Sequence, residues 1–237
     1  MNGIIAGGMK PFSASLAPIP TKILFPKPIL SSLLTMPYPL KVYPASYLPY
    51  ESKNGLPLLP IHCEGRVTAP LLPWGSVART TAFSFGTYHF YTDDHKFEGL
   101  WSVPEKILIS DCINFVEPDF TIIDDYRCPA LYYQLYRRRW LSCKFAELGK
   151  KIIINISVRS QELVDYLLTG VPSGWSSFAT RGSSLDIETL TMQYQAIKQV
   201  CATPKLLIYG GSAAVSNFAL NNEGCFYSPL YRGSKNG

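Results

Sequence analysis

The sequence predicts an α/β fold, built on a mainly parallel sheet or a partial β/α barrel with covering helices and preceded by an irregular proline-rich arm. Apolar runs of strand length alternate with segments whose apolar residues recur at helical spacing. Residues 151–158 and 205–211 are nearly uninterrupted apolar runs, which are typical of strands buried on both faces. We therefore expect an arm over residues 1–80, packed on the domain, an α/β domain over 81–212 and a loop-rich tail over 213–237.

The composition is that of one large domain with a buried core. The chain has 237 residues, of which 47% are hydrophobic and 16% are charged. Its formal net charge is +5, and the first 50 residues contribute four lysines and no acidic residue. This basic segment either contacts phosphates or another anionic surface, or is simply solvated.

The proline pattern marks the arm. Thirteen of the 19 prolines lie at or before Pro73, and proline removes a backbone donor and disfavours helix in the residue before it. We therefore expect the arm to be mostly extended.

Cysteine spacing and hydropathy indicate an intracellular setting. The six cysteines contain no C-x-x-C pair, so neither a zinc site nor a compact disulfide framework is indicated. Prolines interrupt the apolar stretches of the arm before they reach the roughly 18 residues of a membrane span. We expect no signal peptide, no membrane span and a cytoplasmic location.

The first half of the α/β segment predicts two strands and a long helix. Residues 81–91 are rich in aromatic and β-favouring side chains, and residues 106–116 form the next apolar run. Pro129 suits the first turn of a helix, and Gly149 suits its end. We expect a helix of about 18 residues between them, followed by the strand at 151–158.

The second half continues the alternation. A short helix is expected over residues 160–170, then a strand over 174–182. Ser183 and Asp186 form a capping-box pattern in front of a helix that Pro204 ends. The strand at 205–211 completes a series of five strands.

The carboxyl ends of these strands predict the candidate active site, because sites of parallel α/β folds lie there. The candidate catalytic residues are Asp93, Asp94, Asp119 and Arg181. Carboxylates that meet at one mouth can share a proton or hold a hard divalent cation, with magnesium as the candidate metal, and an arginine can receive a phosphate or carboxylate. The alternative is that these acidic residues cap helices or form turns.

A basic and aromatic segment predicts a different function. Arg137, Arg138 and Lys144 lie beside tyrosines and Trp140, a combination that suits nucleic-acid binding. Consecutive arginines point to different sides of a helix, so a solvated helix face with one internal ion pair is the alternative. The sequence contains no G-x-S-x-G, P-loop, G-x-G-x-x-G or H-E-x-x-H motif, which removes the hydrolase, nucleotide and zinc-protease functions that these motifs support.

Several motifs between about residues 85 and 211 resemble a known family. They are His89-Phe90, Asp93-Asp94, Phe97-Glu98 with Trp101, Glu117-Pro118-Asp119-Phe120-Thr121, Gln134 before Tyr136-Arg137, and Tyr209-Gly210. In order and spacing they are similar to the domain of unknown function 4417, a family of phages, prophages and other mobile elements. The chain departs from that pattern at 153–158 and 179–182, where the polar residues differ while the strands remain.

The resemblance implies a mobile-element context and supports the α/β domain, but it brings no established activity. If the protein is phage-encoded, its expected location is the host cytoplasm. Three hypotheses follow. The protein is an accessory protein that binds nucleic acid, a small enzyme with a carboxylate site at the strand ends, or a noncatalytic module whose arm binds a partner protein or a second copy of the chain.

Overall fold

The computed structural model describes residues 54–75, 85–122 and 128–230. In these parts of the chain, seven strands form one parallel sheet whose spatial order equals the chain order. The strands are β1 Leu71–Pro73, β2 Thr87–His89, β3 Asn114–Val116, β4 Lys151–Asn155, β5 Ser177–Arg181, β6 Lys205–Tyr209 and β7 Cys225–Ser228. The α-helices are α1 Gly99–Ser102, α2 Cys128–Glu147, α3 Gln161–Thr169, α4 Ile187–Val200 and α5 Ala213–Asn221. The predicted α/β class with a parallel sheet is confirmed.

The sheet is curled into a half-barrel. The rings of His89 on β2 and Tyr209 on β6 lie 4.0 Å apart, although three strands separate β2 from β6. In a flat sheet four strand spacings would amount to about 19 Å. The ring of Tyr91 also stacks on Tyr209, at 5.7 Å between centroids. These contacts across the concave face require strong curvature.

The helices cover the outer face of the half-barrel. Side chains that alternate with the concave ones, such as Phe115 and Ile152, are fully buried in the main core with Trp140 and Phe145 of α2. The strand alternation places every second residue on either face. Both faces therefore bury apolar side chains, as the nearly continuous apolar runs predict.

Local signals position the helices around the mouth of the half-barrel. The side chain of Ser160 caps α3 by accepting a hydrogen bond from Leu163 N at 3.3 Å. Asp186 caps α4 by accepting one from Thr189 N at 2.7 Å. The predicted capping box, with Ser183 as the N-cap residue, is therefore wrong. Ser183 lies in a 3₁₀ turn, and the N-cap residue is Asp186.

The first two predicted strands are shorter than expected. Of residues 81–91, only Thr87–His89 form a strand in the described part. Residues Pro104–Ile109 form a 3₁₀ helix and leave Asn114–Val116 as β3. Pro104 favours a helical first turn. The apolar composition of residues 106–116 therefore predicted a longer strand than the structure has.

The sheet extends beyond both expected boundaries of the α/β domain, residues 81 and 212. Leu71–Pro73, which we expected to lie in the arm, form β1, and this edge position accommodates a proline because one side needs no ladder hydrogen bonds. The expected loop-rich tail is wrong for residues 213–228, which contain α5 and β7. Phe218 of α5 packs edge-on against Tyr194 of α4, and such tertiary packing overrides the polar composition.

The described parts contain no helix long and apolar enough to cross a membrane. The lysines of the first 50 residues lie outside the described residues.

Candidate functional site

A cavity of about 570 Å³ opens at the carboxyl ends of the central strands. It lies between the segments that follow β2, β3, β4 and β5 and the facing sides of α2 and α3. The described residues that line it are Thr92, Asp119, Phe120, Thr121, Ile122, Leu131, Arg138, Ser157, Val158, Arg159, Ser160, Leu163, Arg181, Ser184 and Leu185. This is the position at which parallel α/β folds carry their sites.

Asp119 is the carboxylate of this cavity. It follows β3, and its Oδ1 accepts a hydrogen bond from Asn155 Nδ2 at 2.8 Å and pairs with an Arg138 terminal nitrogen at 3.0 Å. Burial raises the pKa of the Asp119 carboxyl above its usual value, although Arg138, the Asn155 hydrogen bond and Arg181 act in the opposite direction. The site thus holds a carboxyl that is desolvated, oriented and close to two cations.

A hydrogen-bond chain fixes the orientation of Asp119. Asn155, at the end of β4, uses its amide oxygen to accept from Tyr91 Oη at 3.2 Å and from Ser157 N at 3.0 Å. Its amide nitrogen is thereby directed at Asp119. Burial, followed by the charge of Asp119, raises the pKa of Tyr91 well above its usual value, so this phenol stays protonated and acts as a donor.

Arg138 joins helix α2 to the strand ends. Its side chain is only 2% exposed, and its terminal nitrogens donate to Phe120 O at 2.7 Å and Ser157 O at 3.4 Å in addition to the ion pair with Asp119. Within the described residues its Nε has no hydrogen-bond partner. The guanidinium therefore forms a fixed cationic wall of the cavity.

Arg181 and Arg159 add two more cations to the lining. Arg181 ends β5; its Nε donates to Ser183 Oγ at 3.2 Å, and its backbone N donates to Ser157 Oγ at 2.8 Å. Arg159 donates to Ser184 O at 3.3 Å. Three arginines and one carboxylate are thus the charged groups among the described lining residues.

A second buried ion pair holds the scaffold behind the cavity. Arg139 Nε donates to Glu117 Oε1 at 2.7 Å, and both side chains are fully buried. The terminal nitrogens of Arg139 donate to Gly170 O and Leu167 O at the end of α3. Because this network is hydrogen-bonded on both sides, it ties α2 to β3 and α3 and is structural.

The predicted nucleic-acid-binding residues are not on an open basic surface. The guanidinium of Arg137 is nearly buried, 3.8 Å from the centroid of the Phe120 ring and 5.1 Å from that of Trp101. Arg138 lies in the cavity wall, as described above. Lys144 pairs with Glu147 at 2.6 Å on the same helix. The prediction that these three residues contact nucleic-acid phosphates gains no support, because protein groups cover both guanidinium groups.

The four predicted catalytic residues converge only in part. Asp119 and Arg181 both line the cavity. Asp94 lies beside it and accepts hydrogen bonds from the backbone N and the Oγ1 of Thr121, so its carboxylate fixes the loop after β3. Asp93 is exposed and pairs with Lys96 at 3.0 Å. Asp93 thus forms a surface ion pair and Asp94 fixes a loop, neither side chain makes a helix-capping hydrogen bond, and a catalytic role for the two stays a prediction.

Metal ligation by the predicted carboxylates gains no support from the described residues. In residues 54–75, 85–122 and 128–230, no group of three His, Cys, Asp or Glu side chains comes together as a metal site. Magnesium binding remains a prediction of the sequence.

Sequence reasoning missed two of the three arginines that line the cavity. The basic and aromatic pattern predicts Arg138 on a nucleic-acid surface, and no motif contains Arg159. The usable signal was position, since Arg159 comes directly after the apolar strand segment at 151–158, where residues reach the mouth of a parallel sheet. Arg138 carries no such signal, because its role depends on which side of α2 faces the sheet.

Two curated phage proteins are similar to part of the chain. The Gene 1 protein of Mycobacterium phage D29 is 28% identical to it over 135 residues, 54% of this chain and 50% of the relative. The Gene 1 protein of Mycobacterium phage L5 is 28% identical over 131 residues, 53% of this chain and 57% of the relative. The chain thus spans about half the length of these curated relatives. No solved structure matches it.

The family assignment agrees with the motifs on which the resemblance rested. The model of the domain of unknown function DUF4417 matches residues 48–218, which is more than half of the chain and includes every cavity-lining residue. The chain belongs to the DUF4417 family.

Proposed function

We propose that this protein binds a small phosphorylated molecule in the cavity at the strand ends. The observation that carries the proposal is the charge of the lining, which contains three arginines, Arg138, Arg159 and Arg181, and a single carboxylate, Asp119. Because Arg138 is already paired with Asp119, the excess positive charge lies on the half-buried Arg181 and the exposed Arg159, where an anion can reach it. A cavity of about 570 Å³ lies in the range of small-molecule sites.

The donors around the cavity suit the oxygens of a phosphate. Arginine offers a planar fork of N–H groups, which binds phosphate in a bidentate manner. Ser157 and Ser160 add hydroxyl groups to the lining, and Ser160 begins α3, whose positive N-terminal end favours an anion. The arginines carry the proposal and the helix end supports it.

Asp119 gives the site an acid–base group. A carboxyl whose pKa burial has raised can be protonated closer to neutral pH than an ordinary aspartate, and such groups recur as general acids or bases. Asn155 and Arg138 hold this carboxyl in one orientation. This arrangement supports an enzyme that transfers a proton to or from its phosphorylated substrate.

Calorimetry with inorganic pyrophosphate tests the proposal on the full chain. We expect binding that weakens at least about tenfold in Arg181→Gln, because one cationic contact of about 1.4 kcal/mol is lost. The matched control is Lys205→Gln, which removes an exposed positive charge at the opposite end of the β5–β6 ladder. Equal losses in the two variants, or no binding by the wild-type protein, would contradict the proposal.

A further inference from the structure

The lining of the cavity also contains apolar side chains, which a phosphate group alone would not contact. Ile122, Leu131, Leu163 and Leu185 line it with half-buried apolar side chains. Ile122 and Leu163 also pack on the apolar cluster between α2, α3 and α4. We call these four side chains the apolar wall of the cavity.

The polar groups of the lining are linked to one another by hydrogen bonds and an ion pair. Arg138 contacts both Asp119 and the Ser157 carbonyl, and Ser157 Oγ accepts from the backbone of Arg181. Arg138 and Arg181 thus lie around Asp119 and Ser157, whereas Ile122 and Leu163 lie against the apolar cluster between α2, α3 and α4. A ligand that satisfies both parts must itself have an anionic end and an apolar end.

We propose that the ligand is a phosphate monoester whose organic part is an aromatic or other apolar group, with the phosphate against Arg159 and Arg181 and the apolar group against Ile122 and Leu163. This inference rests on the proposed function and specifies its ligand class. Inorganic phosphate would leave the apolar wall in contact with water, whereas burial of an apolar group against that wall releases this water. Nucleoside monophosphates are one source of such a ligand.

Leu163 is the residue with which the inference is best tested. It lies in the first turn of α3 with its side chain half-buried, and the helix is held by the Ser160 cap and by the fully buried Val164 and Leu167. Replacement of Leu163 by asparagine therefore changes the cavity wall while leaving the buried stripe of α3 intact. The matched control is Leu220→Asn on α5, where the leucine is 81% exposed and does not line the cavity.

The experiment compares phenyl phosphate and adenosine 5′-monophosphate with ribose 5-phosphate by calorimetry. We expect at least one of the two aromatic esters to bind about tenfold tighter than ribose 5-phosphate. Leu163→Asn should remove most of this advantage and leave ribose 5-phosphate within about twofold of its wild-type affinity. Leu220→Asn should change neither. If Leu163→Asn does not fold, as judged by circular dichroism, Leu185→Asn replaces it in the same comparison.

The outcomes separate this inference from the proposed function. Binding of ribose 5-phosphate as tight as that of both aromatic esters overturns the ligand class but leaves the phosphate site standing. An aromatic advantage that Leu163→Asn and Leu185→Asn both retain also overturns the ligand class, since the apolar wall would not be its cause. Absence of binding by every phosphorylated probe overturns both.

Discussion

Asp119 connects the sequence of this protein to its candidate chemistry at the scale of a single residue. It follows β3 through Pro118; the pairing of β3 with β4 brings it to Asn155, and the packing of α2 on the sheet brings it to Arg138. Burial raises the pKa of its carboxyl, while Arg138 and Arg181 limit the increase. Its protonation state therefore decides how much positive charge the cavity presents to an anion.

This coupling predicts the pH dependence of anion binding. A raised pKa means that Asp119 takes up a proton above the ordinary aspartate value of about 3.9, which removes the only negative charge among the described lining residues. Sulfate, which does not titrate in this range, should therefore bind more tightly as the pH falls toward the acidic range. Calorimetric titrations at several pH values measure this change.

Two variants make the pH prediction specific. Asp119→Asn should bind sulfate more tightly than the wild-type protein near neutral pH and should lose the pH dependence. Asp111→Asn, which removes an exposed carboxylate in front of β3, should leave both unchanged. A pH dependence that persists in Asp119→Asn would assign it to another group, and the prediction would be wrong.

At the scale of an element, the two serine N-caps of α3 and α5 offer a controlled comparison. Ser160 Oγ accepts a hydrogen bond from Leu163 N, whereas the Ser212 side chain makes no capping hydrogen bond at the start of α5. Both residues have extended backbone angles before a nine-residue helix. The two positions differ mainly in whether the hydroxyl satisfies a helix N–H group.

Ser160→Ala should therefore lower the free energy of unfolding by about 1 kcal/mol, as measured by urea denaturation. Ser212→Ala should change it by less than about 0.5 kcal/mol. Similar values for the two substitutions would show that the Ser160 cap does not stabilise α3.

The curvature of the sheet is the decisive property of the whole molecule. It brings His89 of β2 to Tyr209 of β6, and it directs the ends of β3, β4 and β5 toward one cavity. The concave face is filled by a small apolar cluster that includes Tyr91, Val116 and Tyr209. The aromatic contacts across this face stabilise the curled form relative to a flatter sheet.

Tyr209→Ala should consequently destabilise the protein by about 3 kcal/mol, since a buried aromatic side chain and its contacts to His89 and Tyr91 are lost. Phe226→Ala on the neighbouring β7 is the control, because that ring is 51% exposed, and should cost less than about 1 kcal/mol. Thermal and urea unfolding measure both. Equal decreases in the free energy of unfolding would mean that the contacts across the concave face do not stabilise the curled sheet.

The sequence by itself determined the elements, because strand and helix patterns are local. The apolar run at 151–158 predicted β4, and the segment between Pro129 and Gly149 predicted α2 to within about two residues. Local patterns failed where packing decided: Leu71–Pro73 joined the sheet as an edge strand, and residues 213–228 folded against α4 and β6.

Only the tertiary structure decided which polar residues meet. Asp93 and Asp94 both follow β2 at the end of the sheet where the cavity lies. Asp93 nevertheless pairs with Lys96, and Asp94 accepts a hydrogen bond from Thr121. Arg138 sits within a run of three arginines that differ by about 100° steps around α2, and only the packing of that helix on the sheet selected which guanidinium faces Asp119. Sequence therefore predicted that a site lies at the strand ends, whereas helix orientation and sheet curvature determined its charge and its contacts.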